Sequence, residues 1–294
     1  MKHIWICALA FEVFWQNKLT LFMNFQDARR KVKIYFPTER QVVSQLVVVD
    51  YLSFELVPRV VGMKRLEHLQ SNLEFVTSEI ADACAAAQRS PSEVTLIVVT
   101  KTWPASDVKL LAELGVTDVG ENRDQEAKPK FEEVKDLNLT WHAIGQLQTN
   151  KAKSVATWAE VVHSVDRPEL VTALGKAVLA REQPLAALIQ VDLDPSPKDN
   201  RGGASPDQVL ELADLINQTP GLVLQGVMGV APLGGDDFAA FALLQEISKQ
   251  VREQSPKANW ISAGMSGDFA AALKFGATHL RIGSSILGNR AFKG

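Results

Sequence analysis

Lys101 closes the most apolar short run of the chain, Val94–Thr100 (VTLIVVT). Two physical readings apply to a lysine so placed. Partial desolvation lowers an ammonium's pKa and frees the amine as a nucleophile toward aldehydes. Alternatively, the ammonium snorkels past the strand end into water. Far along the chain, Gly283-Ser284 precede Ser285-Ile286-Leu287. Backbone N–H groups at such a helix start form an anion cradle suited to phosphate, and the same string also reads as a plain turn with an N-cap. Ser262 offers a hydroxyl donor to the same anion. Arg281 carries a charge it cannot shed, so it must be paired or solvated, as a salt-bridge member or as a donor to a ring nitrogen or an anionic ligand group. His142 and His163 lie near Asp166, but alternation along a strand turns Ser164 and His163 to opposite faces and argues against a Ser164–His163–Asp166 triad. No histidine spacing makes a zinc site. Gly264-Met265-Ser266-Gly267 falls short of a dinucleotide fingerprint, and no Walker-type phosphate loop is present.

The elements that must position these groups alternate. After an amphipathic helix over 63–88, with Leu66, Leu69, Leu73, Val76, Ile80 and Ala83 on one face, short apolar runs follow at 94–100, 118–119, 140–144, 161–164, 186–193, 223–228, 260–262 and 279–282. Helical stretches separate them at about 105–114, 123–135, 150–158, 167–181, 206–218, 236–253 and 267–275. Eight strand–helix units predict a parallel sheet closed into a single (β/α)8 barrel with an extra N-terminal helix; an open doubly wound sheet is the alternative. In a barrel, functional groups sit at the C-terminal strand ends. That rule collects Lys101, Asn122, Gly145, Asp166, the loop with Lys198 and Arg201, Ser262, Arg281, Gly283 and Ser284 at one mouth.

The chain has 294 residues, with 31 Lys plus Arg against 34 Asp plus Glu, so it lacks the basic field that drives nonspecific nucleic-acid binding. Two cysteines, Cys7 and Cys84, exclude a disulfide scaffold and point to a reducing cytoplasm. No stretch reaches the roughly 18 apolar residues of a membrane span. Composition changes near Gly62. Residues 1–62 hold six of thirteen Phe, both Tyr (Tyr35 and Tyr51) and one of eighteen Gly. Three readings of this segment compete: an added structural element, a targeting peptide around Ile4–Phe11, and an over-extended reading frame with translation starting at Met63. The last is favoured here, with intact mass as its check. Gln41–Leu52 is β-prone, and nothing nearby reads as its hairpin partner. The expected organisation is therefore an atypical extension over 1–62 and a barrel over 63–294.

The strings VVTKTWP (98–104), VGENRDQEAKPK (119–130), WHAIGQLQTNKAK (141–153), HSVDR (163–167) and ISAGMSGDFAAALKFGATHLRIGSSILG (261–288) together resemble the pyridoxal phosphate homeostasis proteins. The likeness runs in order from about 65 to 290. It implies a barrel similar to the N-terminal domain of alanine racemase, with pyridoxal 5′-phosphate (PLP) held as a lysine aldimine. By the same resemblance Lys101 is the aldimine lysine; Ser262, Gly283 and Ser284 contact the phosphate; Arg281 faces the pyridine nitrogen; and Asn122 and His142 lie near the cofactor. There are two departures. The loop after the fifth barrel strand reads SPKDNRGGAS, with Arg201 before Gly202 where many members carry Glu and Lys, and Ala263 stands where a methionine is common.

The resemblance implies reversible carriage of PLP in the cytoplasm, with no robust catalytic activity and no metal. The implied partners are PLP, other B6 vitamers and PLP-dependent apoenzymes, with neither nucleic acid nor membrane. A PLP-dependent amino-acid racemase is the alternative. It needs a second base, a tyrosine in the racemases, whereas the tyrosines here fall in the atypical segment. An arginine opposite the pyridine nitrogen also does not hold that nitrogen protonated, which weakens the electron sink.

Overall fold

The computed structural model describes residues 32–38, 41–47, 56–194 and 202–288, with side chains described from Lys64 onward. The chain divides into two units, residues 1–65 and 66–294. In the first, β1 (Val32–Thr38) pairs antiparallel with β2 (Gln41–Val47), from Val32↔Val47 to Thr38↔Gln41. The β-prone segment at 41 thus has a partner, contrary to the expectation from sequence. Pro37 hid it: a proline demotes a run as a strand candidate, yet a strand paired on one side tolerates it. The candidate targeting run Ile4–Phe11 lies outside the described residues.

Helix α1 spans Leu56–Ala86, so it begins ahead of Met63 rather than just after it. The composition break is not a helix boundary. Pro58 is compatible with this start because the first helical N–H groups have no intrahelical acceptor in any case. The apolar stripe behaves as its spacing predicts: Leu69, Val76, Ile80 and Cys84 are buried, with Leu73 and Ala83 packed at the edge. Asn72 donates to the Ile286 carbonyl at 2.8 Å, and Arg89 donates to the carbonyls of Leu273 and Ala277, which ties the helix to the last barrel unit.

Eight parallel strands then close a barrel in the order β10-β3-β4-β5-β6-β7-β8-β9. They are β3 (Thr95–Val99), β4 (Asp118–Glu121), β5 (Thr140–Ala143), β6 (Val161–Val165), β7 (Leu185–Val191), β8 (Leu222–Gly229), β9 (Trp260–Ser262) and β10 (His279–Ile282). The helices between and after them are α2 (Ala105–Glu113), α3 (Asp124–Val134), α4 (Ala152–Val155), α5 (Pro168–Val178), α6 (Val209–Gln218), α7 (Asp237–Gln254), α8 (Phe269–Lys274) and α9 (Ser284–Leu287). The open-sheet alternative is excluded by the pairing of β10 with β3.

The main core lies between strands and helices, with Val98, Val119, Trp141, Val162, Ile189 and Val227 facing α2–α8 residues such as Leu111, Leu174 and Phe241. A separate buried cluster of Val161, Leu188 and Met228 belongs to the opposite strand faces, inside the ring. That interior is not wholly apolar: His142, His163, Ser262 and Arg281 are buried there too. Ala263, one of the two family departures, is buried in the main core; most of the other, residues 196–201, lies outside the described residues.

Candidate functional site: an amine and an anion cradle at one barrel mouth

Strand β3 delivers Lys101 to the mouth. Thr100 is fully buried, Lys101 is exposed, and Thr102 adopts φ +71°, a left-handed conformation that is costly for a β-branched residue. Two buried side chains hold the loop. Thr100 Oγ1 donates to Glu121 Oε1 at 2.6 Å, and Lys130 Nζ donates to the Thr100 carbonyl at 2.8 Å and pairs with Glu121. Burial pushes the Glu121 carboxyl up, against the pull of Lys130 and Thr100. The Thr102 N–H is held by Glu126 Oε2 at 3.0 Å. Lys101 therefore stands on a rigid, strained base with its amine in solvent. The desolvated placement allowed by the sequence is not the one observed.

Strand β10 lies beside β3, with Arg281 opposite Ile97 and Ile282 opposite Val98. The register brings Gly283 to the end of β3. A Cβ on Gly283 would sit 2.9 Å from the Val99 carbonyl oxygen, so only glycine lets these two strand ends close. Ser284 and Ser285 follow, exposed, at the start of α9, where the first N–H groups have no intrahelical acceptor. The amine and the N–H cradle thus share one edge.

Arg281 and Ser262 sit deeper and are buried. Arg281 Nη1 donates to Ser262 Oγ at 2.6 Å and Nη2 to the Gly229 carbonyl at 2.9 Å. Burial lowers the guanidinium to about 10, partly offset by Asp268, so it stays charged at neutral pH. Ser262 Oγ also meets His163 Nδ1 at 2.9 Å, and its hydroxyl is engaged inside the ring. His142 does not reach the mouth. Its Nδ1 lies 2.9 Å from His163 Nε2, and its Nε2 lies 2.9 Å from Asp118 Oδ1 at the other end of β4. Asn122 is exposed after β4 and lines a cavity of about 470 Å³ with Glu121, Gln146, Lys151 and Trp158, a cavity whose lining does not include Lys101.

Sequence reasoning missed the Glu121–Lys130–Thr100 support and the link from His142 through His163 to Ser262. The signal for the second was present: Asp118 and Gly120, His163, and Arg281 fall on alternating positions of strands that enclose one interior. Among the described residues, no cluster of His, Cys, Asp and Glu is arranged to hold a metal ion, and no helix is long and apolar enough to cross a membrane.

The fold and this mouth define a racemase-type barrel: residues 76–291 match the family described as alanine racemase, N-terminal domain. A pyridoxal phosphate homeostasis protein of Corynebacterium glutamicum is 44% identical over 209 residues, covering 69% of this chain and 93% of its own length. One of Mycobacterium tuberculosis is 39% identical over 248 residues, covering 78% and 95%. The structure of PipY of Synechococcus elongatus, solved with PLP bound, is similar at TM-score 0.63 and 32% identity, covering 71% of this chain and all of that one. The chain belongs to the family of pyridoxal phosphate homeostasis proteins. Alanine racemase of Corynebacterium glutamicum, at 12% identity and TM-score 0.56, shares the fold alone.

Proposed function

We propose that this chain binds PLP at the mouth formed by β3 and β10, carries it reversibly on Lys101, and serves to keep the intracellular aldehyde low without turnover of its own. The carrying observation is the β10–β3 register, which sets an exposed amine and a glycine-opened N–H cradle on neighbouring strand ends. The donor set fits the group: an ammonium, a guanidinium, backbone N–H groups and serine hydroxyls suit a small phosphate-bearing aldehyde. PLP supplies an electrophilic aldehyde and an electron-accepting ring.

Each residue then has a task. Lys101 provides the nucleophilic amine, and Thr100, Glu121 and Lys130 hold its strand end still. Gly283 and Ser284 take the phosphate. Arg281 donates toward the ring nitrogen and, already protonated, leaves no proton there, which withholds the electron sink that amino-acid chemistry requires. Asn122 borders the entrance. The reading assigns the function to residues 63–294, in keeping with a family match over 76–291. It extends to other B6 vitamers and to apoenzymes as recipients, and to the cytoplasm, in line with the buried free thiol of Cys84.

The test is uptake of PLP by the purified full chain, followed by borohydride reduction and peptide mapping. A visible band and a stable adduct on Lys101, both lost in Lys101→Ala, are expected. Absence of uptake would overturn the reading. Lys101-dependent turnover of an amino-acid panel would replace it with the racemase.

A further inference from the structure

Five side chains on β4, β5, β6, β9 and β10 form a continuous file across the barrel interior: Asp118, His142, His163, Ser262 and Arg281, joined by contacts of 2.9, 2.9, 2.9 and 2.6 Å. Their proton positions follow from the two ends. Burial alone would raise the Asp118 carboxyl, but hydrogen bonds from His142 and Thr117 hold it below the ordinary carboxylate value, so it is an ionised acceptor. His142 must therefore donate from Nε2, and its Nδ1 is assigned here as the acceptor toward His163, the assignment that the imidazole spectra below test. His163 is fully buried, and burial above all, with the Arg281 charge nearby, drives it well below the ordinary histidine value, so it carries one proton. That proton sits on Nε2, facing His142, which leaves Nδ1 to accept from the Ser262 hydroxyl. Ser262 then turns a lone pair, not its proton, to the Arg281 guanidinium. Every hydrogen bond runs one way, from cation to carboxylate, and each donor has an acceptor.

Reversing the file leaves an error at both ends. With a neutral His142 donating from Nδ1, its bare Nε2 would face the Asp118 carboxylate. At the other end, His163 Nδ1–H and Arg281 would both donate to Ser262, whose own proton would need another acceptor in a fully buried site. The carboxylate thus selects the arrangement that holds the distant guanidinium.

We infer that Asp118 is a positioning residue for the cofactor ring, acting through His142, His163 and Ser262 to fix the plane of Arg281 and keep it a donor. This rests on the proposed PLP-binding reading. It assigns Ser262 and His142 an action through Arg281 rather than direct contact with the ligand. Ser262 and the Gly229 carbonyl use two of the five guanidinium N–H donors, so others remain for a ring nitrogen.

The test compares two ligands on the full chain: PLP and its carbocyclic analogue, in which C–H replaces the ring nitrogen. Asp118→Asn lets the amide donate to His142 and turn the file around. It is expected to weaken PLP binding roughly five- to tenfold while changing analogue binding by less than about twofold. Equal weakening of both ligands, or of neither, overturns the inference, since general damage to the barrel does not distinguish a ring nitrogen from C–H. A second measurement stands apart from ligand and variant. In the ligand-free wild-type chain, side-chain 15N NMR should find His142 and His163 both protonated on Nε2, and His163 protonated on Nδ1 would overturn the file. Failure of the wild-type chain to take up either aldehyde would instead sink the PLP reading, while the imidazole spectra still decide the file.

Discussion

The barrel mouth and the barrel interior solve opposite problems with similar residue types. At the mouth, Lys101, Ser284 and Ser285 are exposed, and the backbone at Thr102 is strained. In the interior, His142, His163, Ser262 and Arg281 are buried, and each is joined to the next. An exposed amine and solvent-facing N–H groups exchange a ligand readily because water replaces every contact they lose. Buried polar groups have no such substitute, so they hold one arrangement. On the proposed function, capture and release belong to the rim, while the electrostatic environment of the ligand is set beneath it.

Substitutions sharpen the contrast. Lys101→Ala should abolish covalent uptake of PLP, read as the visible band, yet change unfolding free energy in urea by less than about 0.5 kcal/mol, as expected of an exposed side chain. His163→Ala should do the reverse in stability, costing roughly 2–4 kcal/mol, because it strands His142 Nδ1 and the Ser262 hydroxyl in a dry interior. A large stability loss in the lysine variant, or none in the histidine variant, would break the distinction.

Acid probes the interior selectively. Burial chiefly lowers His279 to about 4, and His163 lies well below its ordinary 6.5. Both rings are neutral in the fold but take up protons at the ordinary value once unfolded. The unfolded chain therefore binds more protons below pH 6.5, and stability must fall as pH drops toward 4. His279 alone should account for a loss on the order of 3 kcal/mol, checked by urea midpoints across that window. A flat profile would mean the histidines are not held neutral. The smallest expected effect belongs to Gly283→Ala. Its Cβ, 2.9 Å from the Val99 carbonyl, must push β10 from β3 at a cost of about 1–2 kcal/mol, with a parallel loss of affinity for the phosphate but retained covalent uptake at high PLP concentration.

Much of this molecule was legible in its residues. All eight barrel strands fall within two residues at each end of the runs predicted for them, and the candidate groups at the ends of β3 and β10 do meet at one mouth. What was not legible has physical causes. The hairpin partner at Val32–Thr38 was masked by Pro37, because propensity does not report whether a strand has a free edge. The helix start at Leu56 was masked by a change in composition that carries no conformational information. The position of His142 within the ring, between His163 and Asp118, was not legible either, because its partners come from two other strands.

Local patterning determined the alternation of strands and helices, because apolar periodicity acts over a few residues and needs no distant partner. It also determined that an amine and a glycine-serine turn would each follow a strand. Closure of the ring was decided only in three dimensions, where β10 pairs with β3 across nearly the whole barrel sequence. The same closure decided which polar side chains on five separate strands touch. Hydrogen bonds of that kind depend on register and on the exclusion of water, and neither exists until the sheet has met itself.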